Sequence, residues 1–287
     1  MVATRAEGKR PPRQGALLCP NCRKLISADE SQCPHCGLPT PGSRWKQVIM
    51  ARGHSAEQRL IQTIIITNIA MFVISLLMSR GGIRLSGNPL FLLSPDNQGL
   101  LLLGATGTFP IDQFGRWWTL VSASYLHGGI LHIVFNMLAF RQIAPLVTRE
   151  YGVHRMFSIY TLAGVGGFLV SYLAGVSRTI GASAAICGLI GALLYYGKSR
   201  GGTYGQAVYR QVGGWAVSIA IFGIVIPGIN NWAHGGGIAT GILLAMMLGY
   251  QERRKTSAAH RLLGSGCVLV TAGILLWALF TALFYRL

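Results

Sequence analysis

The sequence predicts an all-α membrane protein with several transmembrane helices, and three observations support this fold class. Hydrophobic residues make up 51% of the 287 positions, whereas charged residues make up only 11%. The apolar residues form long runs, most of which approach the ~20 residues that a helix needs to cross the hydrocarbon core of a bilayer. The basic residues lie almost entirely between these runs, as is typical of loops at a membrane surface.

Seven apolar segments follow the basic N-terminal region, and we expect each to be a transmembrane helix. They are residues 60–78, 120–140, 156–176, 182–197, 213–229, 232–250 and 263–284. A run of four leucines at 100–103, in the long loop before the second segment, is too short to cross. We therefore expect this run to lie in the membrane interface, with Trp117 and Trp118 anchoring the next helix.

The basic residues predict an orientation for these segments. If the chain crosses seven times, all but five of the 25 Lys and Arg residues lie on the N-terminal side. The five on the opposite side are Arg80, Arg84, Arg116, Arg178 and Arg286. Because positively charged loops stay in the cytoplasm, we expect a cytoplasmic N-terminus and a plasma or inner membrane. The net charge of +17 then reflects topology and attraction to anionic lipid. Nucleic-acid binding is the weaker interpretation and is confined to the N-terminal arm.

Composition divides the chain into four parts. Residues 1–18 form a basic arm that we expect to be disordered, residues 19–40 a cysteine module, residues 41–59 a basic linker, and residues 60–287 the membrane domain. The first fifty residues have no apolar run of the kind found in a secretory signal peptide. Together with the cysteine usage, this predicts a reduced, cytosolic N-terminal region.

The cysteine module contains two C-x-x-C pairs separated by ten residues. They are Cys19 with Cys22 and Cys33 with Cys36. Four thiolates in two such pairs suit tetrahedral zinc, and so small a module has no core to fold around without a metal. We therefore predict structural zinc on these four cysteines, in a module that resembles a minimal zinc ribbon; redox-active dithiols are the alternative. Such ribbons also bind other molecules, so a cytosolic protein partner stays open.

Two reactive side chains, Ser183 and His234, lie at the same predicted depth, at the outer ends of the fourth and sixth segments. Each is followed by small residues on the same helical face. These are Cys187 and Gly191 after the serine, and Gly237 and Gly241 after the histidine. Small residues let membrane helices approach closely, and an imidazole within hydrogen-bond distance can activate a serine hydroxyl. We therefore predict that Ser183 is a nucleophile, that His234 is its base, and that the site opens to the outer face.

The remaining polar residues restrict the chemistry. All eight acidic residues lie outside the seven segments, so a Ser-His dyad is expected instead of a triad with a buried acid. The same absence excludes an aspartyl protease. The sequence also lacks the H-E-x-x-H motif, which excludes a zinc metalloprotease of that type. His132 and Asn136 are four residues apart on one helical face, so with the Ser183 backbone N–H they can form an oxyanion hole. Polar contacts between helices are the alternative for this pair. His127 faces another direction, which predicts a structural role.

Four motifs in residues 101–241 give the chain a resemblance to the rhomboid intramembrane serine proteases. They are GRWWTL at 115–120, the H-x-x-x-x-H-x-x-x-N pattern of His127, His132 and Asn136, GASA at 181–184, and AHGGG at 233–237 followed by Gly241. The resemblance implies the same roles for Ser183, His234, His132 and Asn136. The supporting motif positions that it covers are His127, Gly181, Cys187, Gly237 and Gly241.

The resemblance also implies a fold and an activity. The fold is a six-helix core, here with a seventh, C-terminal helix. The activity is cleavage of the transmembrane segments of single-span membrane proteins, without a cofactor for catalysis. The sequence departs from the family pattern at Thr119, where arginine is frequent, at Ala184, where glycine is frequent, and at Cys187, where an aromatic residue often stacks on the base. A catalytically inactive rhomboid-like protein that binds transmembrane segments is the alternative function.

A transporter and a membrane-anchored adaptor are also considered. A proton-coupled transporter is expected to have carboxylates or broken-helix repeats within the membrane, and the sequence shows neither. An adaptor needs one anchoring helix, whereas this chain has seven apolar segments with grouped polar residues. Both interpretations are therefore weaker than proteolysis.

Overall fold

The structure is a computed structural model of the chain, and it describes residues 15–19, 24–43, 56–79, 84–85 and 92–284. The chain divides between Arg59 and Leu60 into two compact units. Cys22 and most of the basic arm and linker lie outside the described residues.

The first unit contains a small antiparallel hairpin of strands β1 (Ala16–Leu18) and β2 (Leu25–Ser27), in which Leu17 lies opposite Ile26. The backbone N–H of Cys19 donates to the Lys24 carbonyl across the hairpin end, at 2.9 Å. The core of the unit consists of Cys19, Ile26 and Cys33, with Leu17 and Leu38 packed against them. A core of this size buries too little apolar surface to hold the unit together by itself.

The rest of the described chain is mainly helical. Its elements are α1 (Ala56–Leu77), β3 (Arg84–Leu85), β4 (Leu92–Ser94), α2 (Asn97–Leu102), α3 (Thr108–Phe114), α4 (Thr119–Ser122), a 3-10 turn (Ala123–Tyr125), α5 (Ile130–Tyr151), α6 (Val153–Leu173), α7 (Ser183–Arg200), α8 (Gly202–Val225), α9 (Asn231–Leu248) and α10 (Ala258–Phe284). Strands β3 and β4 pair antiparallel.

Five helices in the described part of the chain are long and apolar enough to cross a membrane, namely α1, α5, α6, α8 and α10. The chain is therefore an integral membrane protein with several spans. Helices α7 and α9 have 18 residues each, so they extend about 27 Å, slightly less than a ~30 Å hydrocarbon core. Both contain several glycines and, respectively, Ser183 and His234, which lowers their hydropathy. The total of seven crossings stays a prediction.

The predicted second segment, 120–140, is wrong in its bounds. Its first part forms α4 and the 3-10 turn, and the long helix α5 begins only at Ile130. The break coincides with Gly128 and Gly129, which favour a turn over a continuous helix. In the leucine run at 100–103, Leu100 and Leu103 are buried against the protein. The place of this run in the membrane interface stays a prediction.

Helix α9 packs mainly against α6 and α7, and glycines let the backbones touch. A Cβ atom added to Gly241 would lie 2.0 Å from the Gly188 carbonyl oxygen of α7, and one added to Gly191 would lie 2.2 Å from the Ile238 carbonyl oxygen of α9. On the other side, a Cβ atom at Gly167 of α6 would lie 2.5 Å from the Ala233 carbonyl oxygen. These contacts fix α9 between its two neighbours.

Candidate active site

Ser183 is the first residue of α7, and the segment before it is held by a glycine. Gly181 has φ +129°, a conformation that residues with a Cβ atom rarely adopt, and its N–H donates to the Ala123 carbonyl at 2.9 Å. This turn places the hydroxyl of Ser183 at the start of a helix whose first N–H groups have no partner within the helix. Ser183 is half-buried, whereas Ala182 and Ala184 are fully buried.

His234 lies in the first turn of α9, and its ring reaches the serine. Its Nε2 atom is 2.9 Å from Ser183 Oγ, so the two form a hydrogen bond between residues 51 positions apart. In the tautomer with Nε2 unprotonated, the serine hydroxyl donates to the imidazole. The Nδ1 atom of His234 is buried and has no hydrogen-bond partner among the described residues. The arrangement is therefore a serine–histidine pair without an acid.

The two small faces predicted from the sequence meet each other below this pair. A Cβ atom on Gly237 would lie 2.3 Å from the Ala184 carbonyl oxygen and 3.2 Å from Cys187 Cβ. Any larger residue at 237 would separate α9 from α7, and with them the imidazole from the hydroxyl. Cys187 is 1% exposed and faces α9 at this contact.

His132, near the start of α5, points its ring toward the same place. The backbone N–H of Gly128 donates to His132 Nδ1 at 3.3 Å, so a neutral ring carries its proton on Nε2. A Cβ atom on Gly181 would lie 2.8 Å from His132 Nε2 and 3.6 Å from Ser183 Oγ. A donor N–H and the serine hydroxyl thus both lie next to the Cβ position of Gly181.

Asn136 lies one turn after His132 and is 7% exposed. Its Nδ2 atom donates to the His132 backbone carbonyl at 2.9 Å. This bond uses one of the two amide N–H groups and fixes the side chain on the face of α5 that carries His132.

His127 differs from its prediction in two respects. It lies before α5, not in a transmembrane helix, and it does not face away from His132. The two imidazole rings pack edge to face, with centroids 5.1 Å apart. His127 is fully buried, and neither of its ring nitrogens has a hydrogen-bond partner in the described part of the chain. Its contact is therefore with the side chain of His132, which it helps to orient.

Asn230 was not selected from the sequence, although it lies one turn before His234. Its Oδ1 atom accepts a hydrogen bond from the Ala233 N–H at 3.1 Å, which makes it the N-cap of α9. The sequence signal was present, because asparagine between a Pro-Gly pair and an apolar run is a helix-start pattern.

Three of the four predicted zinc ligands are described, and their sulfur atoms lie together. The Sγ atoms of Cys19, Cys33 and Cys36 are within 4.8 Å of one another, and those of Cys19 and Cys36 are 3.7 Å apart. Tetrahedral zinc with Zn–S bonds of about 2.3 Å requires sulfur separations of about 3.8 Å. The three thiols therefore fit three corners of a zinc tetrahedron. Cys22, the predicted fourth ligand, lies outside the described residues.

Comparison with known proteins covers the part of the chain that contains the serine–histidine pair. Residues 114–251 match the family model of the rhomboid domain. The chain is 31% identical to RHOMBOID-like protein 4 of Arabidopsis thaliana over 208 residues, which is 66% of this chain and 52% of that protein. It is 34% identical to Rhomboid protease GluP of Bacillus subtilis (strain 168) over 185 residues, 63% of this chain and 35% of that protein.

A third relative, RHOMBOID-like protein 5 of Arabidopsis thaliana, is 32% identical over 174 residues, 58% of this chain and 55% of that protein. The chain thus spans between about a third and about half of the length of these three relatives, with the smallest share, 35%, in the bacterial protein. Ser183, His234, His132 and Asn136 all lie within the matched range.

Proposed function

Because residues 114–251 are a rhomboid domain, we propose that this protein is an intramembrane serine endopeptidase with Ser183 as nucleophile and His234 as general base. The observation that carries the proposal is the 2.9 Å separation of Ser183 Oγ and His234 Nε2. The close approach of Gly237 to Ala184 and Cys187 of α7 supports it, because it keeps the two helices in contact at this level.

In the proposed reaction, His234 Nε2 takes the hydroxyl proton as Ser183 Oγ attacks a peptide carbonyl carbon. The negative charge that develops on the carbonyl oxygen is stabilised by the Nε2–H of His132, the remaining amide N–H of Asn136 and the Ser183 backbone N–H. His234 then gives its proton to the leaving amine, and water hydrolyses the acyl-enzyme with His234 again as base. Catalysis needs no metal in this scheme.

The proposed substrates are transmembrane segments of single-span membrane proteins. A helix hides its carbonyl groups in internal hydrogen bonds, so the segment must unwind locally before Ser183 can attack. Water must also reach the acyl-enzyme, and the half-buried state of Ser183 and His234 permits this. The distribution of Lys and Arg supports a cytoplasmic N-terminus with the site near the opposite face.

The test uses the purified full chain in detergent or liposomes with a panel of fluorescent single-span substrates. We expect cleavage by the wild type, and a fall of at least about a thousandfold in Ser183→Ala and His234→Ala. Ser218→Ala is the matched control, because Ser218 is an exposed helical serine on α8 that bonds only to its own helix. Binding of the substrates without cleavage by the wild type would instead favour the inactive, segment-binding alternative.

We also propose that the N-terminal unit holds structural zinc through Cys19, Cys33 and Cys36, with Cys22 as the fourth ligand. The sulfur separations support this, and a metal would supply the stability that the small core does not. A cytosolic partner of this unit stays a prediction.

Elemental analysis of the purified chain tests the metal. We expect about one zinc per chain, and its loss in Cys33→Ser. Cys267→Ser is the matched control, because Cys267 is a buried cysteine of α10. Equal zinc content in Cys33→Ser and the wild type would contradict the assignment.

A further inference from the structure

Asn230 connects the two segments that precede the reactive residues. It lies four residues before His234, and its Nδ2 atom donates to Thr179 Oγ1 at 2.9 Å. Thr179 in turn lies four residues before Ser183. A direct hydrogen bond thus joins the two chain segments four residues before the Ser183–His234 pair. The two hydrogen bonds have the same length, 2.9 Å.

The orientation of the Asn230 amide follows from its partners. A backbone N–H can only donate, so the atom that faces Ala233 N–H must be the amide oxygen. The NH₂ group therefore points at the two hydroxyls, Thr179 Oγ1 and, at 2.6 Å, Ser171 Oγ of α6. All polar atoms of the side chain have partners, which leaves it a single position.

Thr179 is itself fixed from the other side. Its backbone exchanges two hydrogen bonds with Thr106, with N–O distances of 2.7 Å and 3.1 Å. The hydroxyl of Thr119 donates to the Arg116 carbonyl at 2.6 Å. Its oxygen lies 3.0 Å from Thr106 Oγ1, and because its one proton is already used, the Thr106 hydroxyl is the donor in this second bond. Thr119, a departure from the family pattern, thus has its own anchoring bonds.

We propose that Asn230 is a positioning residue, whose amide holds the segment before Ser183 against the start of α9 and so fixes the distance between Ser183 Oγ and His234 Nε2. This inference rests on the proposed function. It requires that loss of the Asn230–Thr179 bond slows the chemical step, because a small displacement of a nucleophile from its base lowers the rate strongly.

Ser171 provides a stability-matched control. Ser171→Ala and Thr179→Val each remove one hydroxyl partner of the same amide, so each is expected to lower the unfolding temperature by a similar small amount. Only Thr179 lies in the segment that leads to Ser183. A purely structural role for Asn230 would change the rate equally in the two variants.

Two substitutions of Asn230 separate capping from positioning. Serine is as good an N-cap as asparagine, but its side chain is too short to reach both hydroxyls, so Asn230→Ser keeps the cap and loses the connection. Aspartate can accept from Ala233 N–H and from both hydroxyls once these turn to donate, so Asn230→Asp should restore much of the rate.

The experiment measures the labelling rate of each full-length variant by a small fluorophosphonate, with kcat and KM for a fluorescent transmembrane substrate. We expect Asn230→Ser and Thr179→Val to lower the labelling rate and kcat by about ten- to a hundredfold, with KM changed by less than about twofold. The double variant Asn230→Ser with Thr179→Val should lose no more of the labelling rate than the slower of the two single variants, because both substitutions remove the same bond. Ser171→Ala should stay within about threefold of the wild type.

The outcomes distinguish the two proposals. A wild type that reacts with neither probe nor substrate overturns the proposed function and this inference with it. A reactive wild type with equal rates in Thr179→Val and Ser171→Ala, or additive losses in the double variant, overturns the positioning role of Asn230 alone.

Discussion

The two ends of α9 are held by different chemistry. At its start, the neutral amide of Asn230 makes three hydrogen bonds with matched donors and acceptors. At its end, the guanidinium of Arg155, which is 1% exposed, donates to the Gly249 carbonyl at 2.6 Å and the Leu248 carbonyl at 3.4 Å. The end of a helix carries partial negative charge, so a cation is stabilising there.

The remaining bonds of Arg155 show what its end of α9 is for. Its Nε atom donates to the Tyr151 carbonyl at 2.6 Å and its Nη1 atom to the Arg254 carbonyl at 3.0 Å. Arg155 thus joins the end of α5, the start of α6 and the end of α9. The end of α9 thus holds three helices of the bundle together, whereas its start sets the distance between Ser183 Oγ and His234 Nε2.

The largest loss of activity is expected near the start of α9, from Gly181→Ala. The added Cβ atom would lie 2.8 Å from His132 Nε2 and displace the proposed oxyanion donor. We expect kcat for a transmembrane substrate to fall by about a hundredfold or more.

Gly175→Ala is the matched control for that variant. Gly175 also has positive φ, +79°, but its Cβ position is open to 4 Å, so backbone strain is the only change. Backbone strain should lower the stability of Gly175→Ala by about 1–2 kcal/mol, and that of Gly181→Ala by at least as much, because φ +129° lies farther from the left-handed region. Equal losses of kcat in Gly181→Ala and Gly175→Ala would show that the contact of the added Cβ atom with His132 has no effect on catalysis.

At the end of α9, Arg155→Met is expected to lower the stability of the protein and to leave its activity nearly unchanged. Removing the guanidinium leaves several buried carbonyls without donors, so the free energy of unfolding should fall by about 3 kcal/mol. The fluorophosphonate labelling rate per folded molecule should stay within about twofold of the wild type. Arg155→Lys should lose less stability, since lysine keeps the charge but not the planar donor set. A slowed labelling rate without a loss of stability would contradict the purely structural role of Arg155.

A smaller effect is expected between the two ends, from Gly241→Ala. Its Cβ atom would lie 2.0 Å from the Gly188 carbonyl oxygen and push α9 away from α7, which should cost about 2 kcal/mol of unfolding free energy. Gly235→Ala is the matched control on the same helix, because nothing lies within 4 Å of its Cβ position. We expect Gly235→Ala to be neutral or to gain about 0.5 kcal/mol in thermal or denaturant unfolding. Equal losses in both variants would contradict close helix contact at Gly241.

The sequence was sufficient to predict the pairing of Ser183 with His234, because each lies on a face of small residues whose period is that of a helix. The prediction also used the equal depth of the two residues, which follows from the seven expected crossings. The rhomboid resemblance was confirmed by the match of residues 114–251 to the family model. It could be found in the sequence because its motifs are short and local.

Other features were beyond such reasoning or were misjudged. The start of α5 was placed too early, because apolar residues on both sides of Gly128 concealed the turn. Asn230 and Arg155 bond to hydroxyls and carbonyls that are far away in the sequence and follow no pattern. A buried arginine that binds only backbone carbonyls and a threonine cannot be distinguished from a loop arginine by counting charges.

The central claim is that Ser183 is a nucleophile activated by His234, and mass-spectrometric mapping of a fluorophosphonate adduct tests it most directly. We predict a single phosphonyl adduct on the peptide that contains Ser183, and its loss in His234→Ala at equal protein and probe concentrations. An adduct on another serine, or equal labelling of Ser183 with and without the imidazole, would contradict the claim.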